Sequence, residues 1–124
     1  MTAEGFTSQG SYAPDNLIAG EHERVERLVT IASGADLTKG AVLGKITANG
    51  KYQLSAAAAT DGSETPDAIL AENAAAASAD VQAVVYFAGE FNETALSFGA
   101  GHTADGVRAT LRDKNIYLRR NQSN

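Results

Sequence analysis

Two histidines, fifteen acidic side chains and no cysteine are the raw material for chemistry in this 124-residue chain. Nucleophilic catalysis needs an activated hydroxyl or thiol beside a base that is itself held in orientation. His22 stands between Glu21 and Glu23, and His102 stands in a Gly-flanked loop. Neither has an apolar frame that would fix a tautomer, so both read as surface histidines. The carboxylate pairs Asp61/Glu64 and Glu90/Glu93 fall in polar turns, whereas acid–base work needs one member in an apolar pocket. Asp61-Gly62-Ser63-Glu64 has the start of a calcium loop but not the remaining ligands or the closing bidentate Glu. Gly99-Ala100-Gly101 opens no dinucleotide fingerprint, and no phosphate-cradling GxxxxGK[ST] occurs. Lys51, beside Asn49-Gly50, lacks the acidic and hydrophobic neighbours of a cofactor-carrying lysine and reads as a solvated turn residue. These residues predict no enzyme, no cofactor and no metal.

Composition narrows the class further. The length suits one domain, able to bury roughly two thirds of its unfolded surface without staples. Absence of cysteine excludes disulfide frameworks, zinc fingers and iron–sulfur clusters. A net charge of −5 argues against a nucleic-acid partner held by phosphate contacts. No apolar run approaches the roughly 18–20 residues of a membrane span, and MTAEGFTSQG is no signal segment. The expectation is a soluble chain made in the cytoplasm, with no membrane and no nucleic acid among its partners.

The elements that would position any functional residue are mostly strands. Val25–Ile31 (VERLVTI) reads as a strand because Thr30 and Ile31 favour one and Gly34 follows closely; a helix through Val25, Leu28 and Val29 is the alternative. Residues 41–48 and 51–55 flank Asn49-Gly50, which predicts a hairpin closed by a two-residue type I′ turn. Ala68–Ala71 is a short apolar strand after the TDGSETP loop, and the alanines at 74–77 read as a small-residue connection. Val81–Ala88 is the most strand-like stretch, expected to be buried on both faces toward its middle. Gly89-Glu90 is expected to turn the chain, and residues 91–96 to continue extended. Between Thr103 and Asn115 the period changes: Val107 and Leu111 are four apart, Thr103 can cap the start, and Asn115 can end the helix left-handed. A last strand covers residues 116–118. The sum is a mainly β domain with one short C-terminal helix, a compact barrel or bent ribbon rather than a βαβ sheet.

Residues 1–20 differ. They are too polar to nucleate a core, yet Phe6, Tyr12, Leu17 and Ile18 are spaced through them. The stretch reads either as a flexible arm that orders on another surface or as a plain loose terminus. It divides the chain into an arm, 1–20, and a single β-rich domain, 21–124. Between Tyr52 and Val107 there are eight acids and no Lys or Arg, while Arg108, Arg112, Lys114, Arg119 and Arg120 crowd the tail. Such segregation could orient the protein on a partner.

Specific words in the sequence carry a resemblance. Gly40-Ala41-Val42-Leu43-Gly44-Lys45-Ile46-Thr47, then Gly50-Lys51-Tyr52 and Leu54-Ser55, form the first block. Asp61-Gly62-Ser63-Glu64-Thr65-Pro66 leading into Ala68-Ile69-Leu70-Ala71-Glu72 is the second. Asp80, Val84-Val85-Tyr86 and Gly89-Glu90-Phe91-Asn92 form the third, and Leu111-Arg112-Asp113-Lys114-Asn115-Ile116-Tyr117-Leu118 closes the set. In order, these resemble the head decoration proteins of tailed bacteriophages, the lambda protein D type, over about residues 25–118. Asn115 stands where that family more commonly has Gly, and both accept a left-handed conformation. The resemblance implies a small β-clip domain and a homotrimer that sits outside the expanded head at threefold sites. There it would cement the major capsid protein against the pressure of packaged DNA. It also implies a mobile arm that orders by adding a strand to the shell, with Phe6, Tyr12, Leu17 and Ile18 as candidate capsid anchors. The competing reading is a β-rich interaction domain of a tail, baseplate or surface apparatus that binds a protein or glycan.

Overall fold

The computed structural model describes residues 17–19 and 23–120. Six strands carry the fold: β1 (Val25–Ile31), β2 (Val42–Lys45), β3 (Tyr52–Leu54), β4 (Pro66–Leu70), β5 (Val81–Asn92) and β6 (Ile116–Arg119). One helix, α1 (Ala104–Arg112), precedes β6. The strands run in the order β1-β3-β2-β4-β5-β6, and β1 also pairs with β5 along its whole length. That second pairing closes β1 to β5 into a five-stranded barrel. Closure satisfies the edges that an open sheet would leave exposed.

Period-2 alternation sends neighbouring residues into two different cores. Leu43, Ala68, Leu70, Ala83 and Val85 point into the barrel. Val42, Ile69 and Phe91 point outward, where Val107, Leu111, Ile116 and Leu118 cover them. The short runs AVL, leading into β2, and AIL, in β4, are apolar throughout because both of their faces are buried. The expectation of two-sided burial for the middle of β5 is corrected here. Gln82 is exposed and Val84 and Tyr86 are half-buried, because α1 and β6 cover the outer wall at β4 and the far half of β5 only.

Helix α1 forms as its sequence dictates. Thr103 accepts a hydrogen bond from the Gly106 N–H at 3.1 Å, and Val107 and Leu111 face the second core. Asn115 ends the turn after the helix at φ +67°.

Three local expectations are corrected. The hairpin between β2 and β3 exists, but its turn is wider than two residues. Ile46 N–H bonds the Lys51 carbonyl at 2.7 Å, and Gly50 N–H bonds the Ile46 carbonyl at 2.8 Å, which leaves 47–50 as the loop. Thr47 N–H is drawn instead to the Asp61 carbonyl at 2.9 Å, and Asn49 is not left-handed. At Gly89-Glu90 the chain does not turn. Gly89, at φ +147°, lets β5 run on while it changes partner, from β1 up to Ala88 to β6 from Gly89 onward. Beyond β5, Glu93–Ala95 forms a single 3-10 turn instead of an extended segment.

Lys51 is a solvent-exposed turn residue as expected, and its ammonium is paired with Asp80. Asp80 accepts the Ser33 N–H as well, at 2.8 Å. The loop acids as a group act as clamps on backbone donors: Asp36 takes the Ala77 N–H and Glu72 the Val84 N–H.

Candidate functional site

The residues just before the barrel are part of it. Ala19 N–H donates to the Glu90 carbonyl at 2.9 Å, and Asn92 N–H donates to the Leu17 carbonyl at 2.8 Å. Ile18 thereby lies opposite Phe91 in an antiparallel bridge. On its other side, β5 pairs in parallel with β6. The end of β5 thus lies between β6 on one side and the bridged residues 17–19 on the other. In antiparallel pairing, residues alternate between facing and turning away from the partner. The bonds at 17 and 19 therefore turn the N–H and C=O of Ile18 away from β5.

This geometry places two of the four candidate anchors. Leu17 is 2% exposed and packs in the second core; Ile18 is half-buried beside Phe91. Both are held as the root of the N-terminal segment, inside the stretch assigned to the arm from sequence. Phe6 and Tyr12 lie outside the described residues, as does His22. Arg119 pairs opposite Asn92, so residues 1–16 and 121–124 attach at the same end of the barrel. Sequence reasoning missed that Leu17 is a core residue, because an isolated apolar residue among Pro14, Asp15 and Asn16 shows no period.

The charges at this end are interleaved rather than segregated. Arg119 pairs with Glu90 at 2.9 Å, and Arg108 with Glu93 at 2.6 Å and with Asp105 at 2.7 Å. Arg120 reaches the other oxygen of Glu93 at 3.4 Å. Arg108, Arg119 and Arg120 of the basic tail are thus folded back on acids of the preceding region. The hydrogen bond from Arg108 holds the Asp105 carboxyl below its usual range, and Glu93 and Asp105 push the Arg108 guanidinium up.

His102 is half-buried rather than on the surface. Its Nε2 lies 3.0 Å from the Glu64 carbonyl and 3.2 Å from the Ser55 hydroxyl. A carbonyl oxygen only accepts, so Nε2 carries its hydrogen and the ring cannot take a proton from Ser55. The contact is a tie between three loops. The TDGSETP loop is closed on itself in the same way. Asp61 accepts the N–H and the hydroxyl of Ser63, Gln53 reaches both Asp61 and Ser63, and Glu64 takes the Gly62 N–H. A shallow cleft beside it is lined by Lys45, Thr47, Thr65, Asp67 and Lys114. There Lys114 pairs with Asp67 at 2.9 Å. Burial, with Asp67 alongside, pushes the Tyr52 hydroxyl up to about 12. Among the described residues, no three His, Asp or Glu side chains converge as metal ligands would.

The clamping acids set a pH dependence. The Ser63 hydroxyl holds Asp61, the Lys51 ammonium holds Asp80 and the Arg108 guanidinium holds Asp105 below the ordinary 3.8. A carboxyl depressed in the folded state stabilises above its unfolded pKa, and that stability is lost as pH falls through the folded value. Urea midpoints are therefore expected to decline from about pH 4 downward. In Asp80→Asn the decline should be shallower; an unchanged slope would mean that Asp80 contributes nothing to it.

Fold and site together define a small closed β-barrel whose end holds residues 17–19 through an antiparallel bridge. The family model for bacteriophage lambda head decoration protein D matches residues 6–115, and the chain belongs to that family. It is accordingly a structural component of the phage virion, with a role in decorating the capsid. No curated protein matches it.

Proposed function

We propose that the chain is a homotrimeric cement protein that binds the outside of the expanded phage head at threefold sites. In this reading residues 1–16 are the segment that engages the major capsid protein, with Phe6 and Tyr12 as its apolar anchors. The observation that supports it most directly is the root. Leu17–Ala19 is already bridged to β5 in antiparallel fashion, and the backbone polar groups of Ile18 face away from β5. A segment that leaves the body extended is set to continue by strand addition, in which backbone hydrogen bonds supply affinity and spaced side chains supply specificity. Ordering such a segment costs roughly 1–2 kcal/mol per residue, so one arm binds weakly. Three arms on one trimer raise the effective concentration of each and make attachment tight. Bound across a junction between capsid subunits, the trimer would resist their separation under internal pressure.

Deletion of residues 2–16 tests this while leaving Leu17 in the core. The shortened chain is expected to stay folded and to lose binding to expanded heads, read by co-sedimentation and by imaging of added density. Undiminished binding would refute the role of the arm. Full-length protein should add density to expanded heads and none to unexpanded ones.

A further inference from the structure

Among the described residues the asparagines are Asn49, Asn73, Asn92 and Asn115, and Asn49 is the one followed by glycine. Asparagine is chemically labile. The backbone nitrogen of the next residue can attack its Cγ, closing a succinimide ring and expelling ammonia. Water then opens the ring to aspartate or, at the other carbonyl, to isoaspartate. One water is consumed and one ammonia leaves, with no oxidant or cofactor. The step is intramolecular, so placement of the reacting groups sets its rate. At Asn49 that placement is favourable. Gly50 has no side chain to shield its nitrogen, and a Cβ built there would meet only Lys45 Cε, at 3.9 Å. The Lys51 N–H donates to Asn49 Oδ1 at 2.9 Å, aimed at the oxygen on which negative charge develops as the ring closes. That donor is anchored, because the Lys51 carbonyl accepts the Ile46 N–H at 2.7 Å and its ammonium is paired with Asp80.

We infer that Asn49 is a site of spontaneous deamidation in the folded chain, with the Gly50 nitrogen as nucleophile and Lys45 and the Lys51 N–H as positioning groups. Lys45, exposed and reaching over Gly50, puts a cation where the amide must give up its proton. Asn49 is exposed, so water reaches the ring. One contact must open, the bond from the Gly50 N–H to the Ile46 carbonyl at 2.8 Å. It lies in an exposed turn, where local opening costs far less than unfolding. The other described asparagines are placed differently. Asn92 is buried and precedes Glu93; Asn73 precedes Ala74, whose N–H is bonded to the Leu37 carbonyl at 2.8 Å; Asn115 precedes Ile116, which is fully buried in β6. Conversion adds a negative charge to a chain of net charge −5. In the isoaspartyl form the backbone gains a carbon before Gly50, which displaces Lys51 from its bond with Ile46. A virion component is not replaced after assembly, so the change accumulates with age.

Ageing the full chain at mildly alkaline pH tests this. Ion exchange should show a growing acidic species. Trypsin cuts after Lys45 and Lys51, so the change is read in the peptide 46–51, where fragmentation separates aspartate from isoaspartate. Asn49→Gln, whose longer side chain closes the ring poorly, should form the species roughly tenfold or more slowly, with an unchanged far-UV spectrum. Lys45→Met should slow it by roughly threefold or more, and Lys45→Arg should restore the wild-type rate. Absence of the modified 46–51 peptide from aged wild type overturns the inference, whichever other asparagines convert. So does conversion seen only in urea, since the site would then belong to the unfolded chain. Equal rates in wild type and Lys45→Met overturn the part given to Lys45.

Discussion

A Leu17→Ala chain is expected to lose about 2–5 kcal/mol of unfolding free energy, the usual cost of emptying a buried leucine site. The position looks expendable, at the margin of a polar leader. Yet its side chain is 2% exposed and packs in one cluster with Phe91, Val107, Leu111 and Leu118. The backbone around it is fixed too, by the bonds from Asn92 to Leu17 and from Ala19 to Glu90. Collapse into the void is restricted, because the walls are a helix and two paired strands, so the cavity term should persist. Urea denaturation followed by far-UV circular dichroism measures the loss, since the chain has no tryptophan. A change below about 0.5 kcal/mol, typical of an uninvolved surface site, would show that Leu17 belongs to the arm and not to the body. The variant should also weaken head attachment, because a frayed root no longer presents the arm as a strand.

Gly44→Ala is expected to be at least as costly, about 3 kcal/mol or more, at the upper end for overpacking. The reason is close approach, not backbone conformation, for Gly44 is not among the positive-φ residues. A Cβ at this position would sit 2.0 Å from the Ser63 carbonyl oxygen and 2.7 Å from the Ser63 Cα. Those are backbone atoms, and their loop cannot swing away cheaply. Ser63 is fully buried and tied by Asp61 and Gln53, while His102 holds the next carbonyl, that of Glu64. The ladder between β2 and β4 already shifts register between Leu43 and Gly44 to let the loop pass. The same denaturation experiment reads the effect. Gly34→Ala is the useful contrast, since a Cβ there meets nothing within 4 Å and only its φ of +135° opposes the change.

Much of the fold was legible because the informative signals are local. Alternation and β-branching marked β1, the Asn-Gly pair marked a hairpin, and the Thr103 cap with Val107 and Leu111 marked α1 almost to the residue. The errors share one cause. Gly89 reads as a turn because glycine punctuates chains, but here it lets one strand leave β1 for β6. Asn49-Gly50 reads as a two-residue turn, but the Asp61 carbonyl takes the Thr47 N–H and widens it. In both cases a partner distant in sequence chose among conformations that the local residues permit.

The amino-acid sequence by itself determined the class: a mainly β chain with one short helix and the ordered words of a head decoration protein. Those properties reside in residue types and short spacings, which need no neighbours to be read. The tertiary structure alone decided that Leu17 is core, that Arg108, Arg119 and Arg120 pair with Glu90, Glu93 and Asp105, and that Leu28 is left uncovered. The first two depend on the far end of β5 meeting residues 17–19, α1 and β6, and the third on β1 closing against β5. Barrel closure joins residues fifty or more positions apart, and no periodicity within either strand records that meeting.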